Sequence, residues 1–197
     1  MIEKIVSLDK ELFVFLNGLG SESFDGIWVI ITQQIYWIPF FAYLLYLAQK
    51  KMGTKQILYI LLFVSLIVLF TDQFTNFVKH HFYRLRPCND LEIKDVIRIV
   101  LHRNSFSFFS GHASNSMAVA TFLFLILRKQ YKYFGLIFFW PLIFAYSRIY
   151  LGLHFPVDIL TGYAVGAIVG YVFFKIYQTT QKRYFPIQIL DEKESNL

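Results

Sequence analysis

Apolar residues run through this chain in five stretches, each near the length of a membrane crossing, and polar residues gather where the stretches end. Positions 27–48 form the first, with Trp28, Tyr36 and Trp37 along it. Positions 56–78 form the second, which turns polar in its last third at Thr71, Asp72, Gln73 and Asn76. The third, 112–127, begins with small residues; the fourth, 133–146, contains Pro141; the fifth, 156–177, opens on Pro156, a residue suited to a first helical position. About 20 residues rising 1.5 Å each cross a hydrocarbon core of roughly 30 Å. The pattern therefore predicts an all-α fold, a polytopic transmembrane helix bundle of about five spans.

Ahead of these spans, Ile5, Leu8, Leu12, Phe15 and Leu16 fall near helical spacing, with Lys4, Asp9 and Lys10 off that stripe. Residues 1–20 thus read as an amphipathic helix lying in the interface. Its acidic residues, Glu3, Asp9 and Glu11, argue against a cleavable signal peptide. Positions 79–109 form a long polar connection, in which alternating apolar and charged residues from Leu91 to Leu101 predict a short surface helix. Positions 184–197 read as a flexible tail, and the whole, 1–197, as a single domain.

Composition agrees. The chain is 56% hydrophobic and only 16% charged, where a soluble domain carries about 25% charged residues. The net charge of +6 is spread over short loops beside apolar spans, which points to anionic headgroups and membrane orientation, with no nucleic-acid partner. Lys50, Lys51 and Lys55, then Arg128, Lys129 and Lys132, then Lys175, Lys182 and Arg183 fall on one side of the predicted bundle. The positive-inside rule makes that side cytoplasmic and puts the 79–109 loop on the outer face. Cys88 is the only cysteine, so no intrachain disulfide forms.

Three polar clusters on that outer side carry the chemistry. Lys79 is followed at seven residues by Arg86-Pro87; Ser110-Gly111-His112 opens the third span; Ser147-Arg148 precedes His154 and Asp158. Cations at a membrane face are costly unless paired, so three converging there imply an anion between them. Arginine can grip two phosphoryl oxygens, and lysine adds a compact point charge. A helix start at Gly111 offers unpaired N–H groups, and Ser110 can cap or donate. Asp158, four residues after His154, can fix its tautomer and leave the other ring nitrogen free to attack. Taken singly, each cluster has a plainer reading: headgroup anchors, an N-cap, and a hydrogen-bonded loop histidine. Together they are equipped to hold a phosphate and break one of its bonds.

In order and spacing the clusters resemble the signature of the type 2 phosphatidic acid phosphatase superfamily of integral membrane enzymes. That pattern is Lys, six residues, Arg-Pro; then Pro-Ser-Gly-His; then Ser-Arg, five residues, His, three residues, Asp. Phe109 replaces the second motif's proline; everything else matches. The resemblance implies that His154 is a nucleophile passing through a phosphohistidine, with Asp158 orienting it. It implies that His112 is the general acid and that Lys79, Arg86, Ser110, Gly111 and Arg148 cradle the phosphoryl group. No metal or other cofactor is expected.

The expected substrate is a membrane lipid phosphate or diphosphate, with membrane lipids as the surrounding partners and no oligomeric state fixed by the pattern. Undecaprenyl diphosphate is the favoured lipid, because compact members of the resembled family often act on it. Lipid A, phosphatidylglycerophosphate and phosphatidate are alternatives, since the motifs read the phosphoryl group and not the tail. From another class, a non-catalytic lipid-phosphate binder or transporter would dispense with His154, His112 or Asp158. The expected location is a bacterial inner membrane, the site facing the periplasm. His80, His81 and His102 lack metal-ligand companions and read as headgroup contacts. Gly162, Gly166 and Gly170 make a small-residue stripe that predicts close helix packing.

Overall fold

The computed structural model describes residues 2–184; most of the tail expected over 184–197 lies outside them. The architecture is helical: α1 (Ile2–Gly18), α2 (Glu22–Ile31), α3 (Ile38–Met52), α4 (Thr54–Phe82), α5 (Gly111–Leu127), α6 (Phe139–Tyr150) and α7 (Pro156–Tyr184). Among the described residues, α4 and α7 are each long and apolar enough to cross a membrane. Two shorter apolar helical segments, Gly111–Leu127 and Phe134–Tyr150, pack with them.

The first predicted span is broken. α2 and the segment that continues as α3 are bent 68° apart at Thr32–Gln33. Thr32, Gln33 and Gln34 place three polar side chains inside the apolar run, and Thr32 turns its hydroxyl inward to accept from Arg148. The Trp37 indole then donates to the Ile31 carbonyl at 2.8 Å, satisfying a group the break sets free. The surface helix predicted from Leu91 to Leu101 is instead a run of turns. Asp90 caps it by accepting from the Glu92 N–H, and Asn17 takes the Arg98 N–H at 2.7 Å. Local side-chain acceptors have outcompeted the helix ladder there.

α5 is the central helix, and its most extensive partner is α7. The seam is the glycine stripe: a Cβ on Gly166 would lie 2.4 Å from the Ser114 carbonyl, and one on Gly170 2.4 Å from that of Ala118. Backbones this close leave no room for a side chain, as the small-residue spacing predicts. Pro141 falls in the first turn of α6, where its missing N–H costs no helical bond.

The start of α4 lies beside the end of α7, since Tyr177 donates to Gln56 at 3.2 Å. Tyr131, just after α5, donates to the Leu47 carbonyl near the end of α3. The three basic loop sets therefore share one end of the bundle, and the motif residues share the other. On α1 the apolar stripe points outward, with Ile5, Leu8, Leu12 and Phe15 all exposed, whereas Asp9, Phe13 and Asn17 are buried. The stripe is free for lipid, and positions 9, 13 and 17, one per turn, face the protein.

Candidate active site

The end of α2 with the break after it, the end of α4 with the loop that follows, the start of α5, the end of α6 and the loop before α7 line one cavity of about 760 Å³. Lys79, Arg86, Gly111, His112, Arg148 and His154 all line it. Residues up to 75 positions apart in sequence thus meet, as the three motifs predict. The long loop is laced to the turn between α6 and α7: Cys88 N–H donates to the Gly152 carbonyl and Leu101 N–H to that of Leu151. Gly152 has φ +83, and a Cβ there would lie 3.0 Å from the Arg98 carbonyl, so glycine is required on both counts.

Arg86 is 5% exposed and held on every side. Its Nε and Nη2 donate to the carbonyl and hydroxyl of Ser105, at 2.8 and 3.0 Å. Its Nη1 donates to the Leu153 carbonyl and to Nε2 of His154, at 2.8 and 2.9 Å. Arg148, 6% exposed, donates to Thr32 Oγ1, and its Nε is buried without a hydrogen-bond partner among the described residues. None of Lys79, Arg86 and Arg148 has an ion-pair partner among the described residues. Three unneutralised cations around one cavity make a strong anion site.

His154 is 1% exposed, in the loop before α7. Burial first, then the charges of Arg86, Arg148 and Lys79, push its pKa well below the ordinary histidine value. The ring is therefore neutral at pH 7. Its Nδ1 lies 3.4 Å from Oδ2 of Asp158. That oxygen accepts from the Phe155 N–H at 3.0 Å, tying the carboxylate to the loop that carries the histidine. His112 stacks on Phe144, ring centroids 4.9 Å apart, and lines the cavity.

Two predicted residues stand apart from the lining. Ser110 is fully buried behind the cavity, where its hydroxyl accepts from the Ala113 N–H and its own N–H donates to the Asp158 carbonyl. It caps α5 and joins that helix to α7. Asp158 is fully buried beside His154 and does not line the cavity.

Several participants escape the motif reading. Thr32, Ser105, Arg103 and Asn115 line or brace the cavity. Thr32 is signalled by the polar triplet it begins in a greasy run. Arg84 and Asp9 are the larger omission: Arg84 bridges Asp158 and Asp9, at 2.7 and 2.6 Å.

With this geometry in place, the comparisons with known proteins are decisive. The PAP2 superfamily profile matches residues 57–182. The chain belongs to the PAP2 superfamily. It is 35% identical over 180 residues to a lipid A 4'-phosphatase of Bacteroides thetaiotaomicron, an alignment covering 89% of this chain and 80% of that one. It is 27% identical over 181 residues to an undecaprenyl-diphosphatase of Sulfolobus acidocaldarius, covering 90% and 82% of the two chains. The crystal structure of a transmembrane PAP2-type phosphatidylglycerolphosphate phosphatase from Bacillus subtilis has the same fold, with TM-score 0.65 and 20% identity. That match covers 94% of this chain and 90% of that one. This PAP2 protein is an integral membrane phosphatase.

Proposed function

We propose that this PAP2 phosphatase removes a terminal phosphate from a membrane lipid without a metal ion, through a phosphohistidine. The observation that carries the reading is the set of three cations, without ion-pair partners among the described residues, around the neutral His154. Lys79, Arg86, Arg148 and the N–H groups at Gly111 hold the phosphoryl oxygens and take up the charge that gathers there in the transition state. Nε2 of His154 forms the bond to phosphorus as the bond to the lipid oxygen breaks, and His112 gives that oxygen its proton. Water then attacks the phosphohistidine, His112 takes the water's proton, and inorganic phosphate leaves with His154 restored. Asp158 stabilises the positive ring that exists between the two steps.

An apolar cavity supports a lipid substrate. Trp37, Phe41, Leu44, Val64 and Val119 line it between α3, α4 and α5, and it shares Gln34 and Asn115 with the cationic cavity. A headgroup in one cavity would extend its tail into the other. Among lipids we favour lipid A, releasing the phosphate at its 4' position, on the strength of the 35% identity over most of both chains. Undecaprenyl diphosphate, the lipid expected from the sequence, is the second reading, favoured by the Sulfolobus acidocaldarius relative. By the positive-inside rule the site faces away from the cytoplasm.

The test is phosphate release from purified lipid A, undecaprenyl diphosphate, phosphatidylglycerophosphate and phosphatidate, with EDTA present. Fastest release from lipid A supports the first reading, and fastest release from undecaprenyl diphosphate supports the second. Release that requires added magnesium would overturn the metal-free mechanism.

A further inference from the structure

The buried charges that the phosphate chemistry leaves unused begin on α1. Asp9 is 4% exposed although it belongs to a helix whose apolar stripe faces outward. Its Oδ2 accepts from Nη2 of Arg84 at 2.6 Å, and its Oδ1 accepts from the Val157 N–H at 2.9 Å. The other arm of Arg84, Nη1, donates to Oδ1 of Asp158 at 2.7 Å. The Arg84 guanidinium also lies over the Phe155 ring, 4.1 Å from its centroid. One turn along α1, Phe13 packs edge-on against that same ring at 5.3 Å. A further turn on, Asn17 donates to the carbonyls of Ile149 and Tyr150. The inward face of α1 therefore grips the chain on both sides of His154.

We propose that Asp9 and Arg84 are positioning residues for the reaction at His154, acting through Asp158, so that α1 is a working part of the active site. The inference rests on the reading of His154 and Asp158 given above.

The physical case is a charge count. A carboxylate as buried as that of Asp158 would take up a proton unless a cation faces it, and Arg84 is that cation. A guanidinium shared with Asp158 alone would cancel the charge that has to support the imidazole. Asp9 occupies the guanidinium's second arm, so the three groups together keep one net negative charge. That charge stands behind Nδ1 while Nε2 bonds to phosphorus and the ring becomes cationic. Geometry adds to this: with Oδ1 held by Arg84 and Oδ2 by the Phe155 N–H, the carboxylate cannot rotate away from the ring. The hold of Asp9 on Val157 fixes the first turn of α7, which carries Asp158.

A double-mutant cycle in kcat and KM on the full chain in detergent tests this, with lipid A as substrate and phosphatidate as a second probe. Asp9→Asn keeps the shape and removes the charge. It should lower kcat by about ten- to a hundredfold, the usual loss for a residue supporting a reacting group, with KM little changed. Asp158→Asn should lower kcat further, and adding Asp9→Asn to it should bring no additional loss. A purely structural role would lower the thermal midpoint and multiply the same loss onto either background; that result, or an unchanged kcat in Asp9→Asn, overturns the proposal. Arg84→Lys repeats the cycle should Asp9→Asn not fold, because lysine keeps the charge but cannot span both carboxylates. Full kcat in Asp158→Asn would instead remove the reading of Asp158 as the support of His154, and this proposal with it.

Discussion

Nη1 of Arg86 donates a hydrogen bond to Nε2 of His154 at 2.9 Å, and this contact fixes the state of the imidazole. A guanidinium can only donate, so Nε2 carries no hydrogen and the ring proton sits on Nδ1, toward Asp158. The nitrogen we propose as the nucleophile is thus unprotonated before substrate arrives. An incoming phosphate, richer in acceptor oxygens than one ring nitrogen, would draw Nη1 to itself and release the lone pair. Arg86→Lys keeps the charge but loses the fork that reaches Ser105, Leu153 and His154 together. We expect kcat/KM to fall about a hundredfold, the scale for losing one aligned donor in a site of this kind. Steady-state phosphate release checks it, and a loss of only two- or threefold would show that charge alone suffices.

Burial of a neutral His154 also makes a prediction about acid. Its folded pKa lies well below its unfolded one, through burial and the charges of Arg86, Arg148 and Lys79. The unfolded chain therefore binds an extra proton once pH falls below about 6.5, and stability declines from there downward toward the folded pKa. Above that window the contribution is fully present. His154→Gln should flatten the fall in thermal midpoint between about pH 6.5 and pH 5 relative to the native chain. Parallel curves for the two proteins would contradict a buried neutral ring.

What the sequence made legible follows from how each feature is encoded. Lys79, His112, Arg148 and Asp158 occupy helix ends, and Arg86 and His154 lie within four residues of one, where spacing brings chemistry to one face. The glycine stripe on α7 is equally local, because a four-residue period can only mark one side of a helix. Asp9 and Arg84 were illegible for the opposite reason: their contact spans 75 positions. A charged residue off an apolar stripe reads as solvated, and in a membrane protein that logic inverts, since lipid takes the apolar side. The break at Thr32 was written in the polar triplet, but only the hydroxyl's partner, 116 positions away, explains why the helix stops there.

That partner supplies another expectation. Thr32 accepts from Nη1 of Arg148, and no carboxylate among the described residues shares the load. Thr32→Val keeps the volume and deletes the acceptor, leaving Arg148 free to swing. The expected result is a several-fold rise in KM, worth about 1 kcal/mol in binding, with the folded protein otherwise intact. An unchanged KM for lipid phosphate and an unchanged response to orthovanadate would mean that the cavity walls alone hold Arg148.

Packing along the α5–α7 seam should be unforgiving where the backbones meet. A valine at Gly166 has to displace the Ser114 carbonyl and the Met117 side chain, which would lie 2.4 and 3.0 Å from its Cβ. Overpacking of this kind costs about 1–3 kcal/mol, and the strain falls next to the start of α5 and so on Gly111 and His112. Gly166→Val should lower both thermal midpoint and kcat. Gly26→Ala on α2 is the control: nothing lies within 4 Å of its Cβ, and removing a helical glycine should gain about 0.5–1 kcal/mol. Equal behaviour of the two variants would refute the tight seam.

The apolar cavity can be separated from the phosphate chemistry by changing its width alone. Val64 lines it from α4 and is only partly buried, so a larger side chain there can be accommodated without unfolding the bundle. Val64→Trp should narrow the space between α3 and α4 that a lipid tail would occupy, while Lys79, Arg86, Arg148 and His154 stay in place around the other cavity. We expect KM to rise for long-chain lipid phosphates and to stay unchanged for a short, water-soluble phosphate ester, with kcat similar for both. Each methylene kept out of the cavity forfeits about 0.8 kcal/mol of burial, so losing two or three of them already raises KM more than tenfold. The measurement is KM against chain length in one detergent. A uniform change at every length would show that the tail lies elsewhere, outside the bundle in the surrounding lipid.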